Sequence, residues 1–194
     1  MTQWPETYIL RHGQTLWNAQ HRIQGGFDSP LTDLGRDQAA RQGAILAGLD
    51  LAGFAGFSSP QGRAFVTAGI ALAGHVATIR TDDRLCEIRV GDYEGRVRQE
   101  LPGGADVDFS EESALHLYDK APGGEGFAGL HARCLSFLED HRAAPMVIVT
   151  HGITSRMLRL ILTGQGIEAL AHVGGGQGVV FHIRDGRQKV LGQS

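Results

Sequence analysis

The chain has 194 residues, 21 of them acidic and 18 basic, for a formal charge of -3. That length supports one domain with a substantial core, and so weak a net charge gives no field that would draw in nucleic acid or an anionic membrane. With 42% hydrophobic and 20% charged residues the composition is that of an ordinary globular chain rather than a disordered one.

The two cysteines, Cys86 and Cys134, lie far apart and outside any CxxC or Cys/His spacing, so neither a zinc site nor a disulfide framework is expected. The opening MTQWPETYIL lacks a basic flank and a signal-length apolar run, and no stretch is apolar for long enough to span a bilayer. The expectation is a cytoplasmic protein forming one domain over residues 1–194, with no nucleic-acid or membrane partner. Nothing in the sequence speaks to oligomeric state.

In chain order, Tyr8, Ile9 and Leu10 make a short strand that delivers Arg11 and His12, and Gly13 is read as the residue that lets the backbone turn away. Ligands of open α/β sheets sit beyond the carboxyl ends of the strands, which is where this pair falls. A polar, glycine-containing loop from His21 to Gly35 follows and carries Gln24 and Gly25. Loops of that length beside a site are usually functional. Thr32 is a candidate N-cap for a helix from Asp33 to about Leu49, and Phe54–Ser58 is a candidate strand. Next, Ser59 can cap a helix whose first position is Pro60, placing Arg63 in the first turn. Free amides and the helix dipole favour an anion there, and they disfavour a lone cation. A solvated first-turn arginine is the plain alternative.

His75–Arg80 reads as a further strand, and the loop DDRLCEIRVGDYEGR contains Glu87, which by itself would be an ordinary solvated carboxylate. Between about 100 and 125 the chain becomes acidic, with seven carboxylates against Lys120. This is the expected insert or lid, with a short helix over Ser110–Asp119 capped by Ser110. Phe127, Leu130, Cys134, Phe137, Leu138 and His141 trace one helical face, which leaves His131 and His141 at its surface or edge. The apolar run Met146–Val149 has the pattern of a parallel strand buried on both faces. It ends in Thr150-His151-Gly152, so the junction of strand, histidine and glycine occurs twice. Gly178–Ile183, Asp185-Gly186 and Gln188–Leu191 predict an antiparallel edge hairpin with a primed turn.

Arg11, His12, Arg63, Glu87 and His151 all fall at element ends or turns. Arginine forks, a second histidine and helix-terminal amides suit a tetrahedral anion, above all a phosphoryl group. One histidine can attack phosphorus while the other donors stabilise the equatorial oxygens, and a carboxyl can serve the leaving oxygen. No Walker-type, HExxH or clustered-carboxylate motif asks for a nucleotide, metal or other cofactor.

RHGQT, SSPQGRAFVTA, LCEIRVGDYEG and VTHG, in this order and spacing, resemble the histidine phosphatase superfamily, which includes cofactor-dependent phosphoglycerate mutases and many small phosphatases. The resemblance covers essentially the whole chain. It implies a three-layer α/β sandwich with a mostly parallel central sheet and helices on both faces, to which the hairpin read above adds an antiparallel edge. It implies His12 as the nucleophile that becomes phosphohistidine, Arg11, Asn18, Arg63 and His151 as phosphate ligands, and Glu87 as proton donor. Gln24-Gly25-Gly26 resembles the family's substrate-side loop. There are departures: Gln14 stands where glutamate is common, and Gly126 replaces the serine of a PGGES-like stretch. Mutases of the family carry a longer insert with basic residues, whereas the stretch here is short and acidic. The expectation is therefore a metal-independent phosphomonoesterase acting on a small phosphorylated metabolite. A phosphoglycerate mutase and a non-catalytic phospho-ligand-binding module are the alternatives.

Overall fold

The computed structural model describes residues 4–104 and 115–192. The elements are β1 (Thr7–Arg11), α1 (Leu16–Ala19), α2 (Asp33–Leu46), β2 (Ala55–Ser58), α3 (Gly62–Ala71), β3 (Ile79–Thr81), α4 (Leu115–Asp119), α5 (Gly126–Asp140), β4 (Met146–Thr150), α6 (Gly152–Thr163), β5 (Val180–Arg184) and β6 (Arg187–Leu191). Short 3₁₀ turns join several of them. The strands form one open sheet in the order β3-β2-β4-β1-β5-β6. The first four are mutually parallel, and β5 and β6 run antiparallel at one edge.

Period-two alternation on the central strands feeds two cores. Ile9, Phe57 and Ile148 point to the face covered by α5 and α6, packing with Leu130, Phe137, Met157 and Leu158. Tyr8, Leu10, Val147 and Val149 point to the other face, against Leu46, Ala68, Ala71 and Leu72 of α2, α3 and the turn after it. The result is the expected three-layer sandwich. β4 is buried at all five positions, as its unbroken apolar run predicted. At the hairpin, Asp185 and Gly186 have φ of 51° and 70°, the backbone of a type I′ turn.

Several boundaries differ from the sequence reading. The helix from Asp33 ends at Leu46, short of Leu49, although Thr32 caps it as expected, its side chain accepting from Gly35 N at 3.0 Å. The strand expected over His75–Arg80 is only Ile79–Thr81, because residues 74–78 are spent in turns and bends that bring the chain to the sheet edge. Helix α3 starts at Gly62 rather than Pro60, and its N-cap position, Gln61, makes no side-chain cap bond. In the 100–125 segment the central carboxylates Asp106, Asp108, Glu111 and Glu112, and the proposed cap Ser110, lie outside the described residues. The flanks are no solvated face: Leu101, Leu115, Leu117, Tyr118 and Ala121 are buried in the main core.

Gly13 also has a different reason from the one its sequence suggested. Its φ is not in the left-handed region, and the turn does not require glycine. A Cβ there would lie 2.0 Å from the Gly35 carbonyl oxygen, and one on Gly35 would lie 2.0 Å from that of Gln14. Two backbones touch face to face, so α2 starts flush against the end of β1.

Candidate active site

Parallel pairing sets Arg11 opposite Thr150, so the next residue of each strand, His12 and His151, leave the sheet side by side. The backbone pairing continues one step further, with His12 N donating to Thr150 O at 2.9 Å. The two imidazole centroids are 5.2 Å apart at an interplanar angle of 62°. Both rings are essentially inaccessible. The two junctions that the sequence marked separately are therefore one place.

His12 Nδ1 lies 2.7 Å from the carbonyl oxygen of Gly13. A carbonyl can only accept, so Nδ1 carries the proton and Nε2 keeps its lone pair. Burial, reinforced by the Arg63 and Arg11 guanidinium groups, holds the His12 pKa well below the ordinary imidazole value, while the Gly13 contact opposes that shift. The ring is neutral at pH 7. Burial likewise lowers His151, with help from Arg63 and His12.

A cavity of about 20 Å³ beside His12 is lined by Arg11, Asn18, Gln24, Gly25, Arg63 and Glu87, with Arg22, Arg98 and Tyr118 completing the wall. Each sequence-expected residue thus lines this cavity or, for His151, packs against a residue that does. Asn18 belongs to a capping box in which Thr15 N donates to its Oδ1 at 3.2 Å, which turns the amide NH₂ into the part able to meet an anion. Arg63 is no solvated first-turn cation: it is 1% exposed. Its Nη1 donates to Phe27 O at 2.6 Å and to Asp28 Oδ1 at 3.0 Å, and its Nη2 to Gly25 O at 3.1 Å. Burial lowers its pKa, partly offset by Glu87 and Asp28.

Glu87 is buried despite sitting in a loop. Its Oε1 accepts from Ile88 N (2.9 Å) and Thr154 N (3.1 Å), and its Oε2 from Ile153 N (3.1 Å); Thr154 Oγ1 lies 3.0 Å from Oε1 but gives its one proton to the nearer Cys86 carbonyl oxygen at 2.8 Å. The carboxylate occupies the N-terminal end of α6, whose amides and dipole favour an acceptor. Oε1 has two amide donors and Oε2 only one, so Oε2 is the oxygen left with capacity for a further partner. At α5, Gly126 does leave the helix without a hydroxyl cap, and Asp119 replaces it, accepting from Phe127 N at 2.9 Å.

Sequence reasoning missed several residues. Gln61 ties the site together, its Oε1 accepting from Glu87 N at 2.8 Å and its Nε2 donating to Gly25 O at 2.8 Å. Gln177 Nε2 donates to His12 O at 3.1 Å. Ser59, read as a helix cap, instead meets His151 Nε2 with its hydroxyl at 2.8 Å. Arg22 and Arg98 bring the lining to four arginines against one carboxylate. The basic groups absent from the acidic stretch therefore enter from the loop after α1 and from the turn at Arg98–Glu100.

A three-layer sheet with paired histidines at parallel strand ends, under an arginine-lined cavity, is the architecture of a phosphoryl-handling enzyme. The model of the histidine phosphatase superfamily, branch 1, matches residues 7–192, and the chain belongs to that family. It is 36% identical over 160 residues to phosphoglycerate mutase-like protein 4 of Arabidopsis thaliana, covering 79% of this chain and 69% of that one. Among solved structures, YhfR of Bacillus stearothermophilus superposes with a TM-score of 0.74 at 33% identity, covering 96% of this chain and 95% of that one. A mycobacterial glucosyl-3-phosphoglycerate phosphatase solved with VO3 gives a TM-score of 0.77 at 28% identity, covering 98% of this chain and 100% of that one. No helix among the described residues is long and apolar enough to cross a membrane.

Proposed function

We propose that this protein is a phosphomonoesterase acting on a small phosphorylated metabolite through a phosphohistidine at His12, without a metal. The single observation that carries the reading is the His12 ring: neutral, tautomerically fixed by Gly13 O, and set in a cavity lined by arginines. In this account His12 Nε2 attacks phosphorus in line while Arg11, Arg63, Asn18 and His151 hold the equatorial oxygens. Glu87 enters the cycle with a proton on Oε2, gives it to the leaving oxygen, and regains one from the water that hydrolyses the phosphohistidine. Gln24 and Gly25 border the alcohol portion of the substrate. The names of the mycobacterial phosphatase and of the mutase-like relative both support a phosphorylated small molecule.

The test is to incubate the protein, with chelator, on 3-phosphoglycerate with and without a bisphosphoglycerate primer, following inorganic phosphate and 2-phosphoglycerate. Phosphate release that depends on His12 supports the reading and justifies a wider screen of phosphate esters. Primer-dependent isomerisation without net phosphate release would replace it with a mutase. Tight phosphate-ester binding, with no product from any ester, would replace it with a binding module.

A further inference from the structure

His151 lies at 0% exposure, and its two ring nitrogens have very different surroundings. Nε2 is 2.8 Å from Ser59 Oγ. Nδ1 is buried and has no hydrogen-bond partner among the described residues. A neutral imidazole carries one proton, and which nitrogen holds it decides whether Nδ1 is a donor or a bare lone pair.

The surroundings of Ser59 decide between the two. Its oxygen accepts from Gln61 N at 3.2 Å, and its remaining neighbours are His151 Nε2 at 2.8 Å and Cys86 Sγ at 3.8 Å. The hydroxyl has a single proton to give. Directed at Nε2 it makes a short O–H···N bond to a good acceptor; directed at the distant sulfur it makes a weak one. Cys86 holds its own proton, because burial raises its pKa, and that S–H can turn to the Ser59 oxygen. With the Ser59 proton on the Nε2 side, the imidazole proton must sit on Nδ1. An N–H is also the only form in which a buried, unpartnered nitrogen 5.2 Å ring-to-ring from His12 can favour an anion rather than repel it.

The geometry points to Ser59 as a positioning residue that locks His151 in its Nδ1–H tautomer and so supplies an oriented donor to the phosphoryl site. Its link to turnover rests on the phosphatase reading above; the tautomer itself does not. Cys86 completes the arrangement as a weak third member, and Gln61 N fixes the rotamer of the serine hydroxyl.

Long-range proton–nitrogen correlation spectra of isotope-labelled histidine in the intact protein read the tautomer directly. The expected pattern for His151 is protonated Nδ1 and bare Nε2 near pH 7. An Nε2-protonated ring in the wild-type protein would overturn the proposal, whatever the enzyme hydrolyses. In Ser59→Ala, a near-isosteric change that keeps the fold, His151 should shift toward the Nε2–H form, vanadate affinity should fall about tenfold, and kcat should fall with little change in KM. Ser59→Thr keeps the hydroxyl and should restore the wild-type tautomer and most of the vanadate affinity. A Ser59→Ala protein with unaltered tautomer and vanadate affinity would also refute it. Loss of all phosphatase activity in the wild-type protein with the Nδ1–H tautomer intact would instead strike the proposed function and leave the positioning role standing.

Discussion

Replacing Glu87 by glutamine separates its two roles. Wild-type Glu87 collects three hydrogen bonds from backbone amides, those of Ile88, Ile153 and Thr154. Glutamine offers one carbonyl oxygen, which can serve the two amides now on Oε1, and its NH₂ then faces the buried Ile153 N–H, donor against donor. One unpaired buried amide costs about 1–3 kcal/mol. The expected destabilisation is about 1–3 kcal/mol, which for a domain of this size lowers Tm by roughly 2–12 °C. Urea unfolding at pH 7, with the slope held in common, measures it. At a temperature where both proteins are folded, the variant should lose far more activity on an alkyl phosphate than on nitrophenyl phosphate, whose leaving group needs little protonation. A stability change under about 0.5 kcal/mol would refute the helix-anchoring geometry. Equal activity losses on the two esters would refute the proton-donor role.

The same geometry makes three further outcomes testable. Gly13→Ala forces a methyl against the Gly35 carbonyl, backbone on backbone with no side chain to yield, and should cost at least about 2 kcal/mol in urea unfolding. Arg63→Lys loses the planar fork that reaches Gly25 O and Phe27 O, and kcat/KM should fall about 100-fold or more while the fold persists by circular dichroism. His12 and His151 both have depressed pKa values, so below about pH 6.5 the unfolded chain binds protons that the folded protein does not. Stability is therefore fully present above that pH and is lost as pH falls, by up to about 1.4 kcal/mol per pH unit for each histidine. Urea midpoints measured between pH 7 and 5 should drop, and His12→Asn should flatten the dependence.

The layers of the fold were legible because strand burial writes itself into the sequence: Met146–Val149 has no polar residue, and β4 is the central strand buried on both faces. The histidines were legible for a related reason, since each follows such a strand and precedes a glycine. What the sequence could not convey was the cause of those glycines or the partner of each polar side chain. Gly13 looks like a turn residue and is a close backbone contact, a distinction that depends on Gly35, 22 positions along the chain. Ser59 looks like a helix cap because serine before proline usually is one, yet its hydroxyl is claimed by a histidine 92 residues away. Arg22, Arg98 and Tyr118 belong to no spacing pattern. They converge because the chain pairs Arg22 with Val97 in an isolated bridge and because Arg98 Nη2 donates to Tyr118 Oη at 3.1 Å.

In the proposed function, His12 Nε2 takes the phosphoryl group. The most direct test is a rapid quench into base, which preserves phosphohistidine, during turnover of nitrophenyl phosphate in the presence of chelator, followed by mass spectrometry of the peptides. A phosphoryl adduct is expected on the His12 peptide, absent in His12→Asn along with turnover. An adduct on a different residue, or phosphate release that survives His12→Asn, would contradict it.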